Sequence, residues 1–262
     1  MKSFIAFEQV GKTYSSVRGG DFVAVSGFDL EIEKGEFFCL LGPSGCGKSS
    51  VLSLIAGFEN VTDGSINVDG KRVSGPGKDR CVVFQGDDSL YPWLTAVENV
   101  EFGLRLAGQS HRERRAKANR YLVLVGLEKA ADKYPTELSG GMKQRIQIAR
   151  ALAAEPEILL MDEPFGALDA QTRGTMQMEL RRIWQTTGAT VIFITHDIDE
   201  AIILGTRVGV MTAGPRGRLK EIVEVDLPAE RERVTPGYAQ YYEQIHASIS
   251  REVLRANSDG VH

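Results

Sequence analysis

The hydrophobic pattern of the first third of the chain is typical of half-buried strands. Apolar and polar residues alternate over Phe4–Val10 and again over Phe28–Ile32. Such alternation predicts strands that bury one face, as antiparallel strands do. A further short strand is predicted at Ser65–Asp69, which ends in an Asp-Gly turn. The pattern therefore indicates a small antiparallel β-subdomain near the N-terminus.

Three later runs are apolar at every position, namely Cys81–Phe84, Ile158–Met161 and Val191–Ile194. Continuous runs of this length predict strands that are buried on both faces of a parallel sheet. Residues 95–133 instead carry helical periodicity and contain no such run. We therefore expect an α/β core with a mainly parallel sheet flanked by helices, interrupted by an inserted α-helical subdomain at about residues 90–155.

Residues 226–262 form a short extension with a helical pattern. Its apolar residues recur at the spacing of one helix face, at Tyr238, Tyr241, Ile245, Ile249 and Val253. This spacing predicts a helix that docks on the rest of the protein through one apolar face. A regulatory element is the alternative interpretation of the same helix.

The composition narrows the class of protein. A formal net charge of -4 over 262 residues argues against bulk polyanion binding, so nucleic acid is not an expected partner. No stretch approaches 18 consecutive apolar residues, so no membrane-spanning helix is predicted. The three cysteines lack CxxC spacing, which indicates a reducing compartment rather than a disulfide framework or a zinc site.

The candidate chemistry begins with a complete GxxxxGK[ST] phosphate-binding motif between an apolar strand and a helix-like run, the context in which backbone N–H groups bind phosphate. With the residue that follows it, the motif comprises Gly42, Pro43, Ser44, Gly45, Cys46, Gly47, Lys48, Ser49 and Ser50. Lys48 would place its charge against the β- and γ-phosphates, and the Ser49 hydroxyl would bind Mg²⁺. Cys46 lies near the helix N-terminus, so we expect a favoured thiolate if solvent reaches it. The motif predicts binding of a nucleoside triphosphate.

Polar residues that follow the three apolar runs supply the candidate hydrolytic groups. Asp162 and Glu163 follow the second run, so they should lie in the crevice at the carboxyl edge of the sheet. We expect Asp162 to hold Mg²⁺ through water and Glu163 to orient and deprotonate the attacking water. Gln85 follows the first run and would bridge that water and Mg²⁺. His196 follows the third run and would reach the γ-phosphate.

The segment Leu138–Arg145, with the sequence LSGGMKQR, resembles the signature sequence of the ATP-binding subunits of ABC transporters. The other motifs match this family in the expected order over about residues 4–225. The resemblance implies a P-loop NTPase fold of the ABC ATPase type over residues 1–225, with ATP and Mg²⁺ as cofactors. It adds an adenine-stacking role for Tyr14, γ-phosphate contacts for Ser139, Gly140 and Gly141, and a D-loop role for Asp169. It also implies a homodimer that sandwiches two ATP molecules head to tail.

Within this family the chain most closely resembles the nitrate, sulfonate and taurine importer ATPases, on residues such as Leu90–Val100 and Thr195–Ala201. The resemblance implies transmembrane permease subunits as direct partners and a periplasmic solute-binding protein as an indirect one. It also implies a peripheral location on the cytoplasmic face of the inner membrane. The cluster Tyr91-Pro92-Trp93 is either an exposed socket for a membrane-subunit helix or packing inside the helical insertion.

Two functions from other classes are the alternatives to import. A soluble ABC ATPase that remodels a protein or nucleic-acid complex often carries long inserts, coiled coils or a second ATPase domain, and this sequence has none. A nucleotide-dependent scaffold without turnover is disfavoured because Glu163 and His196 are both present. The sequence therefore predicts an ATP hydrolase that energises import of a small solute. It does not encode the solute, because the ATPase does not touch it.

Overall fold

The structure is a computed structural model that describes residues 3–15, 20–86, 89–228 and 230–258. Its strands are β1 (Ile5–Tyr14), β2 (Phe22–Ile32), β3 (Phe37–Leu41), β4 (Asp63–Val68), β5 (Lys71–Arg72), β6 (Arg80–Val83), β7 (Ile158–Asp162), β8 (Thr190–Ile194), β9 (Arg207–Met211) and β10 (Leu219–Glu224). Its helices are α1 (Lys48–Ala56), α2 (Ala96–Leu106), α3 (His111–Leu124), α4 (Gly140–Ala153), α5 (Ala170–Thr187), α6 (Ile198–Leu204) and α7 (Tyr238–Ser258). The chain divides into two compact units, one of residues 1–77 with 190–262 and one of residues 78–189. No described helix is long and apolar enough to cross a membrane.

The first unit contains the predicted antiparallel subdomain. Strand β1 pairs with β2 and β4, and β4 pairs with β5, all antiparallel. Phe7 and Phe28 pack edge to face in its core, with ring centroids 5.5 Å apart. Both β1 and β2 are longer than predicted, because register shifts interrupt the apolar alternation on which the prediction relied.

A second, mainly parallel sheet lies in the same unit. Strand β3 runs parallel to β8 and to β9, and β10 pairs antiparallel with β9. All five residues of β3 and all five of β8 are buried, which confirms the prediction for Val191–Ile194. Because these strands are parallel, the loops that follow β3 and β8 leave the same edge of the sheet.

The second unit contains the predicted helical segment and one parallel strand pair. Strand β6 runs parallel to β7, and α2 packs on α3 and α4. The prediction of a strand buried on both faces is wrong for Cys81–Phe84, because Cys81 is half-buried and Phe84 is 45% exposed. In the described part of the unit β6 pairs with β7 alone, which leaves it less covered than a central strand.

Helix α7 in the first unit packs against α6 and β9. The predicted apolar face is wrong at its C-terminal end, where Val253 is 40% exposed and Glu252 is 2% exposed. Ser248 is fully buried on the same face as Glu252. Lys220 explains this pattern, because its ammonium lies 2.7 Å from a Glu252 carboxylate oxygen and donates to the Ser248 carbonyl at 3.0 Å. A buried carboxylate is tolerated when such partners satisfy it.

Candidate active site

The phosphate-binding motif joins the buried strand β3 to helix α1. Gly45 and Gly47 have φ angles of 75° and 99°, which favour glycine because other residues rarely adopt positive φ. Gly47 caps α1 without a side-chain hydrogen bond. The first N–H groups of α1 therefore face no capping side chain, and a helix N-terminus of this kind binds anions.

The ammonium of Lys48 is hydrogen-bonded within the phosphate-binding loop. Its ammonium donates hydrogen bonds to the carbonyl oxygens of Gly42 at 2.7 Å and Pro43 at 3.0 Å. The residue is 7% exposed, whereas the neighbouring Ser49 is exposed. The loop carbonyls thus hold the Lys48 ammonium beside the N-terminus of α1. Both the positive charge of Lys48 and the helix dipole attract phosphate oxygens to this position.

Cys46 contradicts the expectation of a favoured thiolate. Its side chain is fully buried, with Sγ 3.9 Å from Sδ of Met211. Burial raises the pKa of the Cys46 thiol, and this outweighs the opposing effect of the Lys48 charge. The prediction failed because the Cys46 thiol lies in the core, where the cost of burying a thiolate outweighs the backbone hydrogen bonds from Lys48 and Cys46 as well.

Gly214 and Gly217 pack against the backbone of the phosphate loop. Neither was expected from the sequence to be a site residue. A Cβ atom on Gly217 would lie 1.8 Å from the Cys46 carbonyl oxygen, and one on Gly214 would lie 2.3 Å from that of Gly45. Only a residue without a side chain fits at either position. The Gly-Pro-Arg-Gly sequence is typical of a turn, but nothing in it indicates that the turn packs on the phosphate loop.

Tyr14, the candidate adenine-stacking residue, lies at the end of β1 beside the first turn of α1. Its hydroxyl donates to Oγ of Ser50 at 3.4 Å, and the ammonium of Lys12 lies 4.8 Å from the centre of its ring. The structure thus brings Tyr14 to the phosphate loop despite the long spacing between them in sequence. Stacking on adenine stays a prediction.

His196 follows β8, the parallel neighbour of β3, and is exposed. The backbone N–H of Thr195 donates to the Leu40 carbonyl at 3.3 Å, so His196 and the phosphate loop leave the same edge of the sheet. The Thr195 hydroxyl donates to the buried carboxylate of Glu200 at 2.6 Å. Glu200 was not singled out from the sequence, where it is one acidic residue among several.

In the second unit, Gln85 and Glu163 come together at the ends of adjacent parallel strands. The Gln85 amide nitrogen donates to a Glu163 carboxylate oxygen at 3.2 Å. Glu163 has a φ of 44°, a conformation that is uncommon for residues other than glycine and is concentrated at functional sites. Asp162 is the last residue of β7 and is half-buried.

The signature and D-loop residues lie at two helix N-termini of the second unit. The Ser139 hydroxyl caps α4 by accepting from the Met142 N–H at 3.4 Å. Asp169 caps α5, and hydrogen bonds, chiefly from Thr172 with its N–H at 3.0 Å, lower the pKa of its carboxyl. A Cβ atom on Gly141 would lie 3.3 Å from Cδ2 of Leu168, so the two segments are close neighbours.

The proposed Mg²⁺ ligands are compatible with that ion. Ser49, Gln85 and Asp162 offer a hydroxyl, an amide oxygen and a carboxylate, which are the hard donors that Mg²⁺ prefers. The Gln85 amide nitrogen donates to Glu163, so the Gln85 amide oxygen is the atom that can bind a metal. Among the described residues no group of three or more His, Cys, Asp or Glu could hold a metal ion.

Comparisons with known proteins agree on one family. Residues 25–166 match the family model described as ABC transporter. The chain is 47% identical over 98% of its length to an uncharacterized ABC transporter ATP-binding protein of Methanocaldococcus jannaschii, covering 95% of that protein. It is 48% identical over 90% of its length to the nitrate import ATP-binding protein NrtD of Synechococcus elongatus, covering 88% of that protein.

Other similarities have different coverage. The bicarbonate transport ATP-binding protein CmpC of Synechococcus elongatus is 45% identical over 95% of this chain, which spans only 38% of CmpC. A solved dimeric structure of an ATP-binding cassette, in a post-hydrolysis state with ADP and Pi, superposes with a TM-score of 0.77. That match is 34% identical and covers 84% of this chain and 98% of the other. The α/β fold with an antiparallel and a parallel-rich sheet is thereby confirmed as that of an ABC ATPase.

Proposed function

Because this chain belongs to the ABC transporter family of ATP-binding proteins, we propose that it is the ATPase subunit of an importer for a small solute of the nitrate, sulfonate or taurine type. The similarity to a nitrate import protein over most of both chains supports the import direction. The bicarbonate transport relative supports small inorganic anions as well, although this chain spans a minor part of that protein. The solute itself would be selected by other subunits.

The hydrolytic roles follow from side-chain chemistry. Lys48 and the N–H groups of the phosphate loop bind the phosphates of ATP, and Tyr14 stacks on adenine. Glu163 orients and deprotonates the attacking water, and His196 contacts the γ-phosphate. The single observation that carries this proposal is the hydrogen bond between Gln85 and Glu163. It holds the candidate general base in a strained conformation beside the amide that would share its water.

Mg²⁺ would be held by Ser49 and Gln85 directly and by Asp162 through water. When bound, the ion neutralises charge on the phosphate oxygens of ATP. Ser49 supplies an exposed hydroxyl in the first turn of α1, and Asp162 supplies a carboxylate at the end of β7. Mg²⁺ usually completes its coordination shell with water and with phosphate oxygens of the nucleotide.

We propose further that two copies bind ATP head to tail. Ser139, Gly140 and Gly141 of one copy would receive the γ-phosphate bound by the other, and Asp169 would lie beside them. The dimeric cassette structures similar to this chain support that arrangement. Permease subunits would hold the dimer at the cytoplasmic face of the inner membrane, and a periplasmic solute-binding protein would act through the permease.

Replacement of Glu163 tests the hydrolytic proposal. Glu163→Gln keeps the size and a hydrogen-bond acceptor for Gln85 but removes the base. We expect ATP affinity to be retained and turnover to fall on the order of 10²–10⁴-fold. Phosphate release and nucleotide binding, measured on the same preparation, separate the two quantities. Turnover close to that of the wild-type protein would show that Glu163 is not the general base.

An aromatic cluster in the second unit is the proposed contact for a permease helix. Tyr91 packs on Trp93 and on Phe102, with ring centroids 5.5 Å and 4.4 Å apart. Trp93 itself is 68% exposed. Tyr91 therefore has a packing role, whereas Trp93 presents an apolar surface of the kind that anchors a partner helix.

Trp93→Ala tests the contact with the permease without disturbing the fold. Replacement of Tyr91 would confuse the two effects, because Tyr91 is packed whereas the Trp93 side chain is mostly in solvent. We expect soluble ATPase activity and thermal stability to be kept. Membrane association and uptake should be lost, since truncation of such an anchor often costs about 2 kcal/mol or more of binding. Phe58→Ala, at an aromatic residue that is 49% exposed in the first unit, is the matched control. Wild-type uptake by Trp93→Ala would exclude this surface.

A further inference from the structure

Helix α6 follows His196 almost directly, and its position depends on tertiary contacts. The helix has seven residues and starts at Ile198, two positions after His196. An isolated helix of this length is not stable in water. Its cap, Asp197, accepts from the N–H groups of Asp199 at 2.8 Å and Glu200 at 3.2 Å. The Thr195 hydroxyl also donates to the Glu200 carboxylate, so residues 195–200 form one hydrogen-bonded segment that includes His196.

The C-terminal extension contacts both ends of α6. Near its start, Asp199 accepts from the Tyr238 hydroxyl at 2.5 Å and from the Arg233 guanidinium at 2.5 Å. Near its end, the Ile202 carbonyl accepts from the guanidinium of Arg231 at 3.0 Å. Arg231 is only 7% exposed, so this bond lies in the interior.

The Tyr238 hydroxyl stays a hydrogen-bond donor at neutral and mildly alkaline pH. Burial and the hydrogen bond to Asp199 raise the pKa of the Tyr238 hydroxyl, so it remains a protonated donor at neutral and mildly alkaline pH. The ring is 3% exposed, which fixes the direction of that donor. Asp199 thus has two charge-assisted bonds from the extension, and these are stronger than neutral ones.

We propose that the C-terminal extension positions His196 for hydrolysis by holding α6 at both ends. Arg231, Arg233 and Tyr238 are positioning residues in this proposal, because they bond to α6 and not to the nucleotide. The inference rests on the proposed role of His196 at the γ-phosphate. It assigns to the extension a part in catalysis that the order of sequence motifs does not indicate.

Tyr238→Phe removes only the hydroxyl and keeps the buried ring. We expect kcat for ATP hydrolysis to fall by about 3- to 10-fold with the KM for ATP unchanged, because one hydrogen bond to α6 is lost while those from Arg231 and Arg233 remain. Tyr241→Phe is the matched control, because the Tyr241 hydroxyl accepts from the Asp226 N–H and makes its bond outside α6. Asp199→Asn keeps one oxygen acceptor and should retain more activity than Asp199→Ala. Equal kcat values for Tyr238→Phe, Tyr241→Phe and the wild-type protein would overturn the proposal.

A double-mutant comparison tests whether the effect passes through His196. In a His196→Ala background, Tyr238→Phe should cause no further loss of turnover, while hydrogen exchange of α6 should still be faster. The same fold-loss in both backgrounds, or unchanged exchange in α6, would overturn the positioning role. Wild-type turnover by His196→Ala alone would instead contradict the proposed role of His196, which makes the two failures distinguishable.

Discussion

At the scale of single residues, the phosphate loop depends on positions that are distant in the chain. Cys46 fills the space beside Met211, and the Cys46 carbonyl lies against Gly217. Lys48 is held by carbonyl oxygens of its own loop. The phosphate-binding motif therefore depends on contacts that other segments of the chain supply.

Gly217→Ala should destabilise that support. The added Cβ would lie 1.8 Å from the Cys46 carbonyl oxygen, so the phosphate loop must shift or the chain must unfold locally. We expect a loss of about 1–3 kcal/mol in the free energy of unfolding, as for overpacked sites, together with weaker ATP binding. Denaturant melts and nucleotide titration measure these effects.

Gly174→Ala is the control for this substitution. A Cβ atom on Gly174 meets nothing within 4 Å, and the residue lies inside α5. The change should stabilise the protein by roughly 0.5–1 kcal/mol through helix propensity. Equal stabilities of the two variants would contradict the close approach at Gly217.

At the scale of secondary-structure elements, α7 shows how a polar contact can fix a helix. Burial raises the pKa of the Glu252 carboxyl, but hydrogen bonds from Lys220 and the Ala213 N–H, with the charges of Lys220 and Arg255, lower it overall. The carboxylate thus joins α7 both to β10, through Lys220, and to the segment after β9, through Ala213.

The stability of α7 docking should therefore depend on pH in a defined direction. The native pKa of Glu252 lies below its ordinary value of 4.5, so its contribution is complete above that pH and is lost as the pH falls through the native pKa. Glu252→Gln should lower the free energy of unfolding at pH 7 by about 1–3 kcal/mol. It should also reduce the loss of stability on acidification, which we call the acid limb of the stability curve. Thermal melts from pH 7 to pH 3 measure both effects. Glu243→Gln, at an exposed position of α7, should behave as wild type; an identical acid limb in all three proteins would refute the role of Glu252.

At the scale of the whole molecule, each copy carries one set of phosphate-loop residues and one signature sequence. Ser139 and the two glycines after it lie at an exposed or half-exposed helix N-terminus in the second unit. Such a terminus is available to a phosphate that another copy binds. Assembly is therefore expected to depend on nucleotide.

Glu163→Gln should form a dimer when ATP is added, because slow hydrolysis preserves the nucleotide that joins the two copies. Light scattering should show a doubled mass with ATP and the monomer mass with ADP. Adding Lys48→Ala should prevent this by removing ATP binding. Adding Ser139→Arg should prevent it while ATP binding persists. A protein that stays monomeric with bound ATP would contradict the sandwich arrangement.

Much of the fold and of the candidate site follows from the sequence alone. The buried strands β7 and β8, the helices of residues 95–133 and the phosphate-binding motif were predicted, because each depends on local periodicity or on backbone freedom at named glycines, whereas β9 and β10 were not predicted. The positions of Gln85 and Glu163 were predictable too, since polar residues after adjacent parallel strands meet at one edge. Local patterns decide local conformation and the order of the chemistry.

Tertiary structure decided the remaining features. The sequence could not place the Cys46 thiol in the core, Gly217 under the phosphate loop, or Glu252 on the buried face of α7, nor could it indicate that Tyr238 contacts Asp199. Each of these depends on which side chain of a distant segment lies opposite. Burial, the pKa of a group and the fit of a glycine are properties of that pairing, so they exist only once the chain has folded.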